Sequence, residues 1–241
     1  MPVLSPPVYE HGLPRHWTPW GIEETYEYAE LFYEYTTTHN PGIRIFFYEV
    51  WHCILSGTPT GCDHDIDTAD WRQRLDDDLA LWESVVDHLN DTYNPEEPVC
   101  MIPGGQALAR LYDAVAAGTV SGIEEMEDFF EDDIHLNDPG RYYIALVYYA
   151  MLLNLEPTNL PNQLFNAWGG PFEAPSEALA NCLQELTLET VEEYPASCFN
   201  TATSAPVDEE LPQQVKLYQN YPNPFNPVTQ IQYDPKQPTC A

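Results

Sequence analysis

The chain has 241 residues, of which 44% are hydrophobic, enough for one α/β domain with its own core and a tail. Lys and Arg number 8 against 39 Asp and Glu, a formal net charge of -31. Nucleic acid and anionic membranes are therefore not expected as partners, since both are held by basic residues, and such a surface suits a salty medium that screens its self-repulsion. No apolar run reaches the roughly 20 residues of a spanning helix, so no membrane insertion is expected. The opening Met1-Pro2-Val3-Leu4-Ser5-Pro6-Pro7 has neither the charged nor the apolar region of a signal peptide.

In chain order, residues 2–5 can form one short strand, which the prolines close. Residues 6–21 are loop-like, with Trp17 and Trp20 covering a pocket or core edge. Tyr26, Ala29, Phe32 or Tyr33 and Thr36 fall at helical spacing, predicting a helix over 22–38 that Asn40-Pro41-Gly42 ends. Residues 43–50 are nearly continuous in apolar and aromatic side chains, as in a parallel strand covered on both faces. The run ends in Trp51-His52, at the carboxyl edge where open α/β sheets place their sites.

Six cysteines are many for a cytosolic protein. Cys53 and Cys62 flank a Gly-containing loop, and Cys182 and Cys198 bracket a helix-like segment; each pair can form a disulfide in an oxidising compartment. There is no Cys-x-x-Cys, which argues against a zinc ribbon. Asp63-His64-Asp65-Ile66-Asp67 alternates like a calcium loop, but Thr68 and Arg74 stand where such a loop needs Gly and a bidentate Glu. It reads better as a solvated helix entry with Asp67 as N-cap and Asp70 in the first turn; a metal site on Asp63, His64 and Asp65 is the weaker alternative, and no metal or cofactor is expected. Trp71, Leu75, Leu79, Trp82, Val86 and Leu89 then form one helical stripe over 68–92.

Residues 98–102 are the next strand. Pro103-Gly104-Gly105 follows without the Lys of a phosphate loop, so close strand-to-helix packing is the better explanation than an anion cradle. A helix over Gln106–Ala117 stops at Gly118, and an acidic segment leads to Asp132-Asp133-Ile134-His135-Leu136-Asn137-Asp138-Pro139-Gly140. Asp138 is placed to cap the next helix with Pro139 at its first position, and Ile144, Val147, Tyr148 and Met151 form its buried stripe. A loop anchored in this way can hold Asp132 against one ring nitrogen of His135 and leave the other as a base. A last helix is expected over 176–193. The β-α-β-α-β-α order predicts an α/β layer fold.

The Asp-x-x-His pair, with its Asn-Asp-Pro-Gly helix start and the preceding strands and helices, resembles the last motif block of the SGNH (GDSL-type) esterases. The resemblance implies a three-layer, flavodoxin-like sheet and a Ser-His-Asp triad whose Asp and His are Asp132 and His135. The Gly-Asp-Ser nucleophile block and the Gly and Asn oxyanion blocks of that family are not found. Ser5 is the only serine at the carboxyl end of a strand candidate, and Pro6-Pro7 follows it instead of a helix. Trp51, His52 and Gln106 lie near strand ends and are taken as cleft-lining, substrate-binding candidates.

Residues 201–216 read as an acidic linker. Leu217-Tyr218-Gln219-Asn220-Tyr221-Pro222-Asn223-Pro224-Phe225-Asn226-Pro227 then closely resembles the start of a type IX secretion C-terminal sorting domain, with 229–233 as a strand. That resemblance implies export through the periplasm to the cell surface or medium, with the type IX machinery as a partner. The expected organisation is an SGNH-like α/β domain over 1–200, the linker, and a sorting segment over 217–241. The missing nucleophile block and the short sorting segment make the chain read as a fragment whose sheet lacks N-terminal strands. Apolar surface near 43–50 is then expected to be exposed, and 201–241 to pack poorly. The expected activity is hydrolysis of an acyl ester or acylated carbohydrate; the alternative is a secreted, non-catalytic carbohydrate- or surface-binding module presenting Trp17, Trp20 and Trp51 to sugar rings.

Overall fold

The computed structural model describes residues 3–4, 19–55, 69–200, 216–217 and 233–234. The chain divides into two compact units, residues 1–203 and 204–241. The first is a mixed α/β unit, mostly helical, around a small parallel sheet in the order β1 (Val3–Leu4), β2 (Phe46–Glu49), β3 (Cys100–Pro103). Phe46 pairs with Val3 on one side and Cys100 on the other, so β2 is the central strand.

Alternation along the two longer strands explains why the sheet needs cover on both sides. Phe46, Tyr48, Cys100 and Ile102 enter one core with residues of α3 (Gly104–Ala116), α4 (Asp138–Leu153) and α5 (Glu177–Glu193). Phe47 and Met101 enter a second core with Ala29 of α1 (Pro19–His39) and Trp82, Val86 and Leu89 of α2 (Trp71–Tyr93). The exposed apolar surface expected along 43–50 is absent: Ile45, Phe46, Phe47 and Tyr48 are all buried. Each such side chain removed from water contributes about 1.5–3 kcal/mol.

The stripe of α2 is buried as its spacing demands, except that Leu79 is half-buried, and the helix also buries Arg74 and Asp78, which periodicity does not flag. Its N-cap is Asp70, one residue before Trp71, not Asp67, which lies outside the described residues. Asn94 ends the helix at φ 41°. For α4 the cap is Asn137, not Asp138: Asn137 Oδ1 accepts the Gly140 N–H at 3.1 Å, while Asp138 and Pro139 open the helix itself. The last helix, expected over 176–193, begins one residue later, and the side chain of Ser176 caps it.

Of the two expected disulfide pairs, Cys182–Cys198 is not formed. Cys198 joins Cys100, 98 residues away, and Cys182 is free. Cys182 and Cys198 bracket the carboxyl-terminal part of α5, but the chain turns back after the helix and delivers Cys198 to β3. Cys53 is disulfide-bonded, and Cys62 lies outside the described residues.

Three arginines are each shared by two carboxylates. Arg72 pairs with Asp76 and Asp113, Arg110 with Glu189 and Glu193, and Arg141 with Glu131 and Asp138. The pairs are solvent-facing, worth up to about 1 kcal/mol each.

In the second unit β4 (Lys216–Leu217) and β5 (Tyr233–Asp234) pair antiparallel. Tyr221, Phe225 and most of the strand expected over 229–233 lie outside the described residues.

Candidate functional site

The segment between α3 and α4 is a closed loop. Glu131 N–H donates to His135 O at 2.8 Å, Asn137 N–H donates to Phe129 O at 3.0 Å, and Phe130 and Leu136 form an antiparallel bridge. Inside it Asp132 Oδ1 accepts the N–H groups of Ile134 (2.9 Å) and His135 (2.7 Å), a local closure that Asp favours in turns. Oδ2 faces His135 Nδ1 at 2.7 Å. The contact expected between these two side chains is therefore present.

Those bonds fix the ionisation of Asp132. The backbone N–H groups of His135 and Ile134, then the imidazole, hold the Asp132 carboxyl down to about 2. An ionised carboxylate only accepts, so Nδ1 carries the proton and Nε2 of the neutral ring is left with a lone pair. The His135 side chain is 68% exposed, which leaves that second nitrogen open to solvent.

The loop is seated on the segment that follows β2. Ile54 N–H donates to Asp133 O at 2.7 Å, and the Trp51 indole N–H donates to Ile134 O at 2.9 Å. Leu136 is buried beneath it in the core. Asp132 and His135 therefore stand at the carboxyl edge of the parallel sheet, where this class of architecture gathers reactive groups.

The three expected substrate-binding residues have other partners. Trp51 is half-buried and holds the loop. His52 is buried, with Nε2 against Asp78 Oδ2, and its carbonyl accepts the Trp71 indole N–H at 3.0 Å. Gln106 gives its backbone N–H to Glu49 Oε2 and its amide N–H to Glu49 Oε1, both at 3.0 Å. A position near a strand end is common to structural and functional side chains, so sequence order alone could not separate them.

Glu49, which sequence reasoning passed over, occupies the start of α3 where an external anion would otherwise bind. A Cβ on Gly105 would come within 2.7 Å of its Oε1, and one on Gly104 within 2.5 Å of its carbonyl oxygen. The two glycines thus serve close packing around an internal carboxylate. Burial raises that carboxyl to about 7, against the lowering effect of the Gln106 bonds. The available signal was an acidic residue ending an apolar strand, with a Gly-Gly pair after the next strand.

Among the described residues no serine hydrogen-bonds His135. Ser84 Oγ donates to Leu81 O, Ser176 caps α5, and Ser197 donates to Val191 O. Ser5, Asp63, His64 and Asp65 lie outside the described residues. Among the described residues no group of three or more His, Cys, Asp or Glu side chains is placed to hold a metal ion, and no helix is long and apolar enough to cross a membrane. No family model matches the chain, and neither a curated protein nor a solved structure matches it significantly.

Proposed function

We propose that the protein is a secreted ester hydrolase of SGNH type, acting on an acyl ester or acylated carbohydrate. The observation that carries this reading is the 2.7 Å contact of His135 Nδ1 with an Asp132 carboxylate itself fixed by two backbone N–H groups. Asp132 orients the ring and stabilises its cationic form. His135 Nε2 takes the proton of a serine hydroxyl as that oxygen attacks the ester carbonyl, then returns it to the leaving alcohol; water repeats the cycle on the acyl-enzyme. The serine is taken to come from the nucleophile block that is not found in this chain, and its hydroxyl must come within about 3 Å of Nε2. The sheet edge beneath the loop is compatible with a three-layer, flavodoxin-like parent fold.

Export through the type IX system is proposed with it. Support comes from the 217–227 segment and from two disulfide-bonded cysteines, Cys100 and Cys198, with Cys53 also bonded, since such bonds persist in oxidising compartments.

The experiment is fluorophosphonate labelling of the protein expressed from its native gene. One serine should be labelled; His135→Ala should abolish the adduct and Asp132→Asn should slow it by about a hundredfold or more. A folded protein that never labels would overturn the serine-hydrolase reading. A second reading, a non-catalytic sugar- or surface-binding module, is favoured by one observation: Trp168 is 91% exposed, beside the exposed Phe165. It predicts polysaccharide binding that Trp168→Ala removes, without labelling.

A further inference from the structure

A cavity of about 200 Å³ lies between the first turns of α4 and the segment that follows it. Its apolar lining comes from Tyr142, Ala145, Leu164, Phe172 and Pro175. The far wall is a pinned hairpin: Phe172 N–H donates to Leu164 O at 3.0 Å and Asn166 N–H donates to Gly170 O at 2.8 Å. Asn162 Nδ2 donates to Pro175 O at 2.9 Å, and Glu173 N–H donates to Asp138 Oδ2 at 2.7 Å, tying the hairpin to α4. The cavity is thus held open by bonds within the fold.

Its mouth is bonded to the Asp132–His135 loop. Asp138, three residues after His135, binds Arg141 at 2.9 Å; Arg141 binds Glu131 at 2.8 Å; and Glu131 N–H donates to His135 O at 2.8 Å. The rim chemistry restricts what enters. Arg141 is shared between two carboxylates, and Glu173 adds a further acidic side chain, so an anionic occupant meets no free cation there. An apolar cavity of about 150 Å³ accepts benzene, so this volume suits one ring with a small substituent.

Resting on the hydrolase reading above, we propose that this cavity is the subsite for a single neutral aromatic ring carried by the ester substrate. Tyr142 and Phe172 supply aromatic surface to the ring, and the ester group remains at the mouth, where Asp138 and Arg141 are bonded on to the Asp132–His135 loop. Ala145 is exposed on α4, so enlarging it fills the cavity without displacing a core residue.

The test is NMR titration of the full chain with methyl benzoate, with benzoate as the charged control. Saturable shifts are expected at Ala145 and Leu164. The dissociation constant should rise at least tenfold in Ala145→Trp and in Phe172→Ala, and benzoate should bind at least tenfold more weakly. Circular dichroism establishes that each variant is folded, and Phe172→Ala decides the matter if Ala145→Trp is not. Absence of saturable binding, binding insensitive to the folded cavity variants, or equal binding of benzoate would overturn the subsite. Fluorophosphonate labelling separates the two readings: labelling without methyl benzoate binding overturns the subsite alone, and binding without labelling overturns the hydrolase alone.

Discussion

Asp132 accepts from His135 twice, from the backbone N–H at 2.7 Å and from ring Nδ1 at 2.7 Å, using a different oxygen for each. The turn that positions the imidazole is thus closed by the same carboxylate that orients it. Protonating Asp132 should release ring and turn together.

The sign follows from the lowered carboxyl. Its stabilising contribution is complete above the ordinary carboxylate value near 4 and is lost as pH falls toward about 2. The amide resonances of Ile134 and His135, both bonded to Oδ1, should therefore titrate together with a midpoint near 2. A shared midpoint near 4 would show that the carboxylate is not held as described.

Gly140 is the point where α4 meets the loop. A Cβ there would stand 2.5 Å from Phe129 O and 3.0 Å from Leu136 Cβ. Phe129 O also accepts the Asn137 N–H, so it is not free to retreat. Gly140→Ala should destabilise the domain by about 1–3 kcal/mol and shift the Ile134 and His135 amides. Wild-type stability in chemical denaturation would refute this close seating.

Glu49 gives stability a pH dependence of opposite sign. A carboxyl raised to about 7 favours the folded state below its unfolded value near 4.5, and that contribution is lost as pH rises through about 7. Wild-type unfolding free energy should fall between pH 5 and 8, with Glu49 contributing at most about 3 kcal/mol to the fall. Glu49→Gln should lower overall stability by about 1 kcal/mol, through a lost acceptor, yet flatten that slope. An unchanged slope in the variant would place the titration elsewhere.

Cys198→Ser opens the bond to Cys100 across 98 residues. A closed loop of that length is worth about 2–5 kcal/mol. The variant should lower the urea midpoint without reductant, and wild type with reductant, which also opens the bond at Cys53, should fall at least as far. Coincident midpoints without reductant would show that the bond adds nothing.

Periodicity made the helices legible because each buries one face: the Trp71–Leu89 stripe and the Ile144–Met151 stripe both point into the cores. The Asp132–His135 contact was legible because its partners are three residues apart, within reach of one turn. Longer-range partners were not. Nothing in the spacing of Cys100 and Cys198 tells that a short 3-10 turn after α5, over Pro195–Ser197, returns the chain to β3. Likewise His52 with Asp78, and Gln106 with Glu49, are joined only by the packing of separate elements. Asn137 and Asp138 are equally good caps by composition, and the bond to Gly140 decides between them.

The Cys100–Cys198 bond also turns residues 100–198 into a covalent ring. The ring contains α3, the Asp132–His135 loop, α4, the hairpin over 164–172 and α5, while β1 and β2 lie outside it. A protease that nicks the exposed hairpin at Trp168 would produce no separate fragment until a reductant is added. The loop bearing the imidazole and both walls of the cavity would stay on one molecule, joined through the far side of the ring. Limited cleavage can therefore cut the hairpin without dispersing the parts it connects.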